Sequence, residues 1–383
     1  MKPGALILEG TETIFRGALF GATVSAADLR KNKDRGYGEV VFNTSLTGYQ
    51  EILTDPSYYG QIVTMTTPHI GNTGVNLEDP ESKHPWCAGF VVHQKCEEPS
   101  NWRSNGNLND YLLEHGIPGI SGVDTRALTR FLRSRGVVRG VILPESEIAQ
   151  AAKLLKELPP FEGRDLIAEV STPKSYAWER SQGVKPQFKV VVVDFGVKWN
   201  LLRSLAAHGC DLEVVPAKTS AQEILSRKPH GIFLSNGPGD PAAAPYASEM
   251  VKGVLGTVPL FGVCMGHQIL SIALGGRTYK LKFGHRGGNQ PVFDRTSERV
   301  EISSHNHGYS VDEASLPKSV KVTHVNLNDK TVEGLAVEGK DAFSVQYHPE
   351  ACPGPHDSVV LFDRFVESMK RFWDGKSDVP KIS

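Results

Sequence analysis

The stretch Pro259-Leu260-Phe261-Gly262-Val263-Cys264-Met265-Gly266-His267-Gln268 decides the fold. Leu260 to Val263 is a short apolar run suited to a buried strand, and from Gln268 onward Ile269, Leu270, Ile272 and Ala273 recur at helical spacing. Between them stands Gly-x-Cys-x-Gly, with glycines where a sharp strand-to-helix turn leaves no room for side chains. Such a turn lifts Cys264 out of the sheet and sets it at a helix N-terminus. Free N–H groups and the positive end of the helix dipole there favour a thiolate. The N–H of Met265, the residue after the cysteine, points where an oxyanion would form. Taken alone, the pattern also fits a buried structural cysteine, so the rest of the chain must decide.

Working outward from it, the sequence from Phe188 alternates strand, turn and helix. Val190 to Asp194 is a continuous β-branched run, as for a parallel strand covered on both faces, and a helix follows around Asn200 to His208. Leu212 to Val215 reads as a second strand, Ser220-Ala221-Gln222-Glu223 as a capping box, Gly231 to Leu234 as a third strand, and Ser248 to Leu255 as a helix. This alternation predicts a doubly wound α/β domain with a mostly parallel sheet, whose reactive loops lie at the carboxyl ends of the strands. Cys264 falls at such an end. So does Ser235-Asn236-Gly237-Pro238-Gly239-Asp240-Pro241, a stiff loop poor in side chains that suits a second oxyanion donor and equally suits a plain surface turn. Ala342 to Glu350 ends in His348-Pro349-Glu350; extended, it would place the imidazole and the carboxylate on one face, as a base and its support.

Charge is nearly balanced, 42 Lys and Arg against 43 Asp and Glu among 383 residues, which gives no electrostatic footprint for nucleic acid or a membrane surface. The length suits two domains. Five cysteines at 87, 96, 210, 264 and 352 form no Cys-x-x-Cys pair and suit a reducing compartment. With neither a signal-type apolar segment nor a run of membrane-spanning length, a soluble cytoplasmic protein is expected.

The first third is rich in strands and turns: Ala5–Gly10, Thr13–Gly17, Gly38–Asn43, Gln61–Thr66 and Gly89–His93. Asn109 is expected to cap a helix from Asp110, and Asp124 another from Thr125 to Arg135 whose arginines form a solvated face. A further helix is predicted over 147–158, with Ile148, Ala151, Ala152 and Leu155 on one face. Residues 163–187 are polar and aperiodic. The predicted organisation is therefore an N-terminal docking domain over 1–150, a connector over 151–187 and a C-terminal catalytic domain over 188–383.

Three motifs in order, Phe261 to Gln268, Asn236 to Pro241 and His348-Pro349-Glu350, resemble the triad, or class I, glutamine amidotransferases. Phe42-Asn43-Thr44-Ser45-Leu46-Thr47-Gly48-Tyr49 through Tyr58, with Gly122 to Thr129, looks like the small-subunit family of carbamoyl phosphate synthetases, and the likeness covers essentially the whole chain. The resemblance implies Cys264 as the nucleophile that forms a γ-glutamyl thioester, His348 as acid and base, and Glu350 as its orienting carboxylate. It implies oxyanion N–H groups from Gly237 and Met265. It further implies L-glutamine held by Ser45, Gly239, Gln268 and the segment Asn306-His307-Gly308-Tyr309. Met265 and Tyr309 stand where leucine and phenylalanine are common in the family, and both contribute mainly backbone contacts. The implied partner is a large synthetase subunit, in a heterodimer or a higher oligomer, which would hold ATP and Mg; this chain is expected to bring no cofactor and no metal. His305 and His307 form a His-x-His pair, but no third ligand lies near in sequence. Two rival readings are a free-standing thiol hydrolase of γ-glutamyl compounds and a regulatory subunit that has kept the fold without turnover.

Overall fold

The computed structural model describes residues 2–376 and 380. The last six residues of the predicted catalytic domain other than Pro380, namely 377–379 and 381–383, lie outside the described residues. The chain divides into two compact units, Met1–Glu162 and Gly163–Ser383.

In the first unit seven strands close into a barrel. Lys2–Leu8 pairs antiparallel with both Ile14–Gly21 and Val138–Pro144, which seals the sheet, while Tyr37–Asn43, Gln61–Met65, Gly89–Val91 and Pro118–Ser121 run parallel side by side. Asp124 caps Thr125–Arg135 by accepting from the Ala127 N–H at 2.8 Å; Leu128 and Leu132 are buried, and Arg126, Arg130, Arg133 and Arg135 face solvent. The other expected cap is displaced. Asn107 caps Leu108–Glu114, and Asn109 Oδ1 instead accepts from the Gly21 N–H at 3.0 Å.

The segment predicted as one helix over 147–158 is a 3₁₀ turn, Glu145–Gln150, followed by the α-helix Ala151–Glu157. Ala151, Leu154, Leu155 and Leu158 pack into a core with Ala5, Tyr37 and Leu143, and Ala152 faces solvent. These residues therefore fold with the first unit. Residues 163–187 are short of regular structure, yet Ile167 is buried with Val191 and Phe195 of the second unit, and Tyr176–Ala177 adds an edge strand to its sheet.

That sheet has ten strands, in the order Tyr176–Ala177, Cys210–Pro216, Phe188–Asp194, Gly231–Leu234, Leu260–Val263, Ala342–Val345, Val332–Val337, Val320–Asn326, Thr278–Asp294 and Arg299–Val311. From Cys210–Pro216 to Ala342–Val345 the pairs are parallel; beyond, they are antiparallel. The valine run explains the parallel half. Val190 and Val192 pack against Leu201, Leu205, Phe362 and Phe365 on one face, and Val191 and Val193 against Ile224, Val251 and Ile269 on the other, so both faces of the strand are buried.

Candidate active site

Strand Leu260–Val263 ends at Cys264, which caps helix Met265–Ala273 with φ 53° and ψ −100°, a backbone conformation that side chains rarely adopt. The glycines make the turn possible. A Cβ on Gly262 would lie 2.9 Å from the Gly266 carbonyl, and one on Gly266 would lie 2.3 Å from the Leu234 carbonyl oxygen. The Cys264 N–H is held by the Val345 carbonyl at 2.9 Å. Its sulfur is buried, donates to the Asn306 carbonyl at 3.7 Å and accepts from Gln346 Nε2 at 3.7 Å.

His348 and Glu350 meet, although not along an extended strand. The strand stops at Val345; His348 makes an isolated bridge to Ser304, and Pro349-Glu350 turns, closed by the Ala351 N–H on the His348 carbonyl at 3.1 Å. The turn brings Glu350 Oε1 to 2.8 Å from His348 Nδ1. His348 Nε2 is buried without a hydrogen-bond partner and lies near enough to the Cys264 sulfur for the two to interact electrostatically. Burial alone would depress the imidazole, but Glu350 and Cys264 outweigh it and lift its pKa to about 10.

Sequence reasoning missed Lys198. It is buried, and its Nζ donates to Glu350 Oε1 at 2.9 Å and to the Ala351 carbonyl at 2.6 Å. Burial opposes ionisation of Glu350, yet Lys198 and His348 together hold its carboxyl at about 2. Local chemistry delivers the lysine: Asp194 ends its strand by accepting from the N–H groups of Thr172, Gly196 and Val197 at 2.7–2.8 Å, and Asn236 Oδ1 holds the Lys198 N–H at 3.0 Å. The available signal was its place at the carboxyl end of a parallel strand. Gln346 was also passed over. Its Oε1 accepts from Gln268 Nε2 at 3.0 Å while its Nε2 reaches the cysteine.

The other predicted residues lie in four places. Gln268 is buried on the first turns of the cysteine helix and donates to the Tyr309 carbonyl at 2.9 Å. Asn306, Gly308 and Tyr309 lie on strand Arg299–Val311, and the Asn306 carbonyl is the one that meets Cys264. Gly237 and Gly239 lie in the loop after Gly231–Leu234; a Cβ on Gly237 would sit 2.2 Å from the Phe195 carbonyl oxygen, and Gly239 has φ +86°. Met265, the first helical residue, has an N–H with no acceptor inside the helix. Ser45 belongs to the first unit, where its N–H donates to Asn43 Oδ1 at 2.7 Å and its buried hydroxyl is without a partner.

Away from the cysteine, His285, His305, His307 and Glu333 form a buried cluster whose ligand-type atoms all lie within 4.8 Å of one another. Burial presses His305 and His307 well below the usual histidine range and raises Glu333, whereas Asp329 and Glu333 overcome burial at His285 and lift it to about 9.

A strained buried cysteine facing an ion-paired histidine is an arrangement suited to a thiol nucleophile. Residues 191–368 match the family model described as glutamine amidotransferase class-I, and residues 6–142 match that described as carbamoyl-phosphate synthase small chain, CPSase domain. The chain is 51% identical over 373 residues to the carbamoyl phosphate synthase small chain of Syntrophotalea carbinolica, spanning 94% of this chain and 96% of the relative. It is 52% identical over 366 residues to that of Symbiobacterium thermophilum, spanning 94% and 97%, and 51% identical over 387 residues to that of a Synechocystis species, spanning 97% of each. The second unit is a class-I glutamine amidotransferase domain. The chain as a whole belongs to the carbamoyl phosphate synthase small-chain family.

Proposed function

We propose that this chain hydrolyses L-glutamine through a γ-glutamyl thioester on Cys264 and passes the ammonia to a large synthetase subunit that makes carbamoyl phosphate from bicarbonate and ATP. One observation carries the proposal: the strained elbow presents the Cys264 sulfur to an imidazole that Glu350, itself ion-paired with Lys198, keeps oriented and charged. The thiolate attacks the side-chain amide carbon of glutamine. The negative charge that develops on the carbonyl oxygen is met by the N–H groups of Met265 and Gly237. Collapse breaks the C–N bond, and His348, carrying a proton, delivers it to the departing nitrogen, which leaves as ammonia. With the sulfur acylated, the imidazole has lost a negative neighbour and is the neutral base that takes a proton from water. The resulting hydroxide attacks the thioester, and glutamate leaves as the thiol is restored.

Gln268, Gly239, Asn306, Gly308 and Tyr309 are assigned to holding glutamine, and Ser45 is assigned to the same role on the resemblance alone. The first unit, Met1–Glu162, which takes in the 1–150 predicted from sequence, is assigned to subunit docking. The glutaminase step uses no cofactor, and ATP and Mg²⁺ belong to the large subunit. Among the described residues no helix is long and apolar enough to cross a membrane, and all five cysteines are free; both support a cytoplasmic, reducing setting. The experiment is to assay glutamate release from glutamine by the purified chain, with and without a large subunit. A slow glutaminase accelerated by the partner is expected. Activity on γ-glutamyl compounds other than glutamine, indifferent to the partner, would favour a free-standing hydrolase, and no turnover in either state would favour a regulatory subunit.

A further inference from the structure

His305 and His307 lack a third ligand in sequence, but the folded chain supplies two. The antiparallel register sets His285 opposite His307, and Glu333 rises from strand Val332–Val337. His305 Nδ1 lies 3.1 Å from His307 Nε2 and 3.8 Å from Glu333 Oε2, and His285 Nδ1 lies 3.5 Å from Glu333 Oε1.

The positions of the protons make this arrangement informative. A carbonyl only accepts, so the 2.8 Å contact of His307 Nδ1 with the Tyr309 carbonyl places the proton on Nδ1 and leaves a lone pair on Nε2. Ser303 donates its single hydroxyl proton to the Gln290 carbonyl at 3.0 Å, so at 2.8 Å its oxygen receives a proton from His305 Nε2. A neutral imidazole carries a single proton, and in each of these buried rings the outer hydrogen bond takes it. His305 Nδ1 is then a lone pair as well, facing the lone pair of His307. Beside them, His285 Nδ1 and Glu333 Oε2 are buried without hydrogen-bond partners, in residues that are 8% and 0% exposed. Three ring nitrogens and a carboxylate oxygen thus converge, with no proton between the central two, and a bound cation would take the place of the proton that His285 directs at Glu333.

The outer contacts match what metal-binding imidazoles require. Each ring anchors its far nitrogen to an acceptor: His285 Nε2 to Asp329 Oδ2 at 2.8 Å, His305 Nε2 to Ser303, and His307 Nδ1 to Tyr309. Asn326 Nδ2 holds Glu333 Oε1 at 3.2 Å.

We propose that His285, His305, His307 and Glu333 bind one divalent transition-metal cation of the zinc type. Three imidazole nitrogens and one carboxylate oxygen suit zinc in both donor type and number. With four protein ligands the site is closed, so its role is structural rather than hydrolytic. The cation pins strands Thr278–Asp294 and Arg299–Val311 to Val332–Val337, and so steadies the strand whose Asn306 carbonyl meets Cys264.

The test uses the full-length, tag-free chain. After production in zinc-supplemented medium and dialysis against metal-free buffer, wild type should retain about one zinc per chain by elemental analysis, consistent with a closed four-ligand site. His305→Gln and Glu333→Gln should retain almost none, while their far-ultraviolet circular dichroism matches wild type. Should either fail to fold, Asp329→Asn, which touches no metal, should weaken zinc binding about 10- to 100-fold in competition with a chromogenic chelator. Cobalt(II) added to metal-free wild type should give the intense visible absorption of a tetrahedral site, and Glu333→Gln should diminish it. Wild type that neither retains zinc nor takes it up from zinc chloride would overturn the proposal, as would equal binding by wild type and the variants.

Discussion

The second unit buries two histidine–carboxylate groups, and they behave in opposite ways. At His348 and Glu350 the carboxylate is also paired with Lys198, so it stays ionised near 2 and holds the imidazole charged. At His305, His307 and Glu333 no lysine or arginine is among the groups that perturb the carboxyl; burial raises it and presses both imidazoles toward neutrality. The residue types are the same and all are buried. An ionised carboxylate beside the ring makes the difference: Glu350, paired with Lys198, raises His348, and Asp329 with Glu333 raises His285, whereas burial wins at His305 and His307.

The comparison is broken most completely by removing the group that His348 serves. Cys264→Ser replaces a thiol by a hydroxyl that stays protonated at neutral pH, so thioester formation should fail. In a reconstituted complex, carbamoyl phosphate formation from glutamine should be lost and formation from added ammonium salt retained. Loss of both would make Cys264 structural, and full retention of the glutamine-dependent rate would place the nucleophile elsewhere. Next in size is His348→Asn, expected to leave glutamine binding largely intact and to cut turnover about 10²- to 10⁴-fold. A variant keeping more than half of wild-type turnover would remove His348 from the mechanism. Glu350→Gln should cost less, because that group orients the imidazole and transfers no proton.

Lys198→Met sharpens the contrast by making Glu350 resemble Glu333. Without the ammonium, the carboxyl should rise from about 2 toward and beyond its ordinary range, carrying the acid limb of the glutaminase pH profile upward with it. Turnover at neutral pH should fall by less than in His348→Asn, since the imidazole remains. An acid limb that coincides with that of wild type would show that Lys198 does not govern Glu350.

How much of this was legible in sequence follows from how local each feature is. The Cys264 elbow and the parallel strands were readable because glycine placement and β-branched runs act over a few residues. Barrel closure was not, since it depends on Lys2–Leu8 finding Val138–Pro144 across most of the first unit. The long hairpin Thr278–Asp294 with Arg299–Val311 is masked in sequence because Gly284, Gly287 and Gly288 fall where its register shifts and so break the alternation of a strand. The same hairpin hid the third ligand of the histidine cluster, because pairing across the strands, not spacing along one, brings His285 to His307. Lys198 carried no motif; its role arises only when the Asp194 turn and the His348-Pro349-Glu350 turn meet. That second turn also shows a sound inference reached by an unsound route, since the carboxylate finds the imidazole by folding back, not by sharing the face of a strand.

The smallest effect tests the same carboxylate through stability. Glu350 has its folded-state pKa lowered to about 2, against an ordinary carboxyl near 4.5, so its ionised form is the one that the fold stabilises. The contribution is fully present above about pH 5 and is lost as pH falls through the interval from about 4.5 to about 2. Glu350→Gln lacks this titration and leaves Lys198 and His348 facing an uncharged amide, so at neutral pH its urea midpoint should lie below that of wild type. As the solution is acidified through that interval the gap should narrow, because wild type itself must then carry a neutral carboxylic acid at the position. Measuring both midpoints at pH 7, 5 and 3 decides the matter. A gap unchanged from pH 7 to pH 3 would mean that the substitution acts through packing, and that the buried lysine, whatever it does for catalysis, does not stabilise this unit through Glu350.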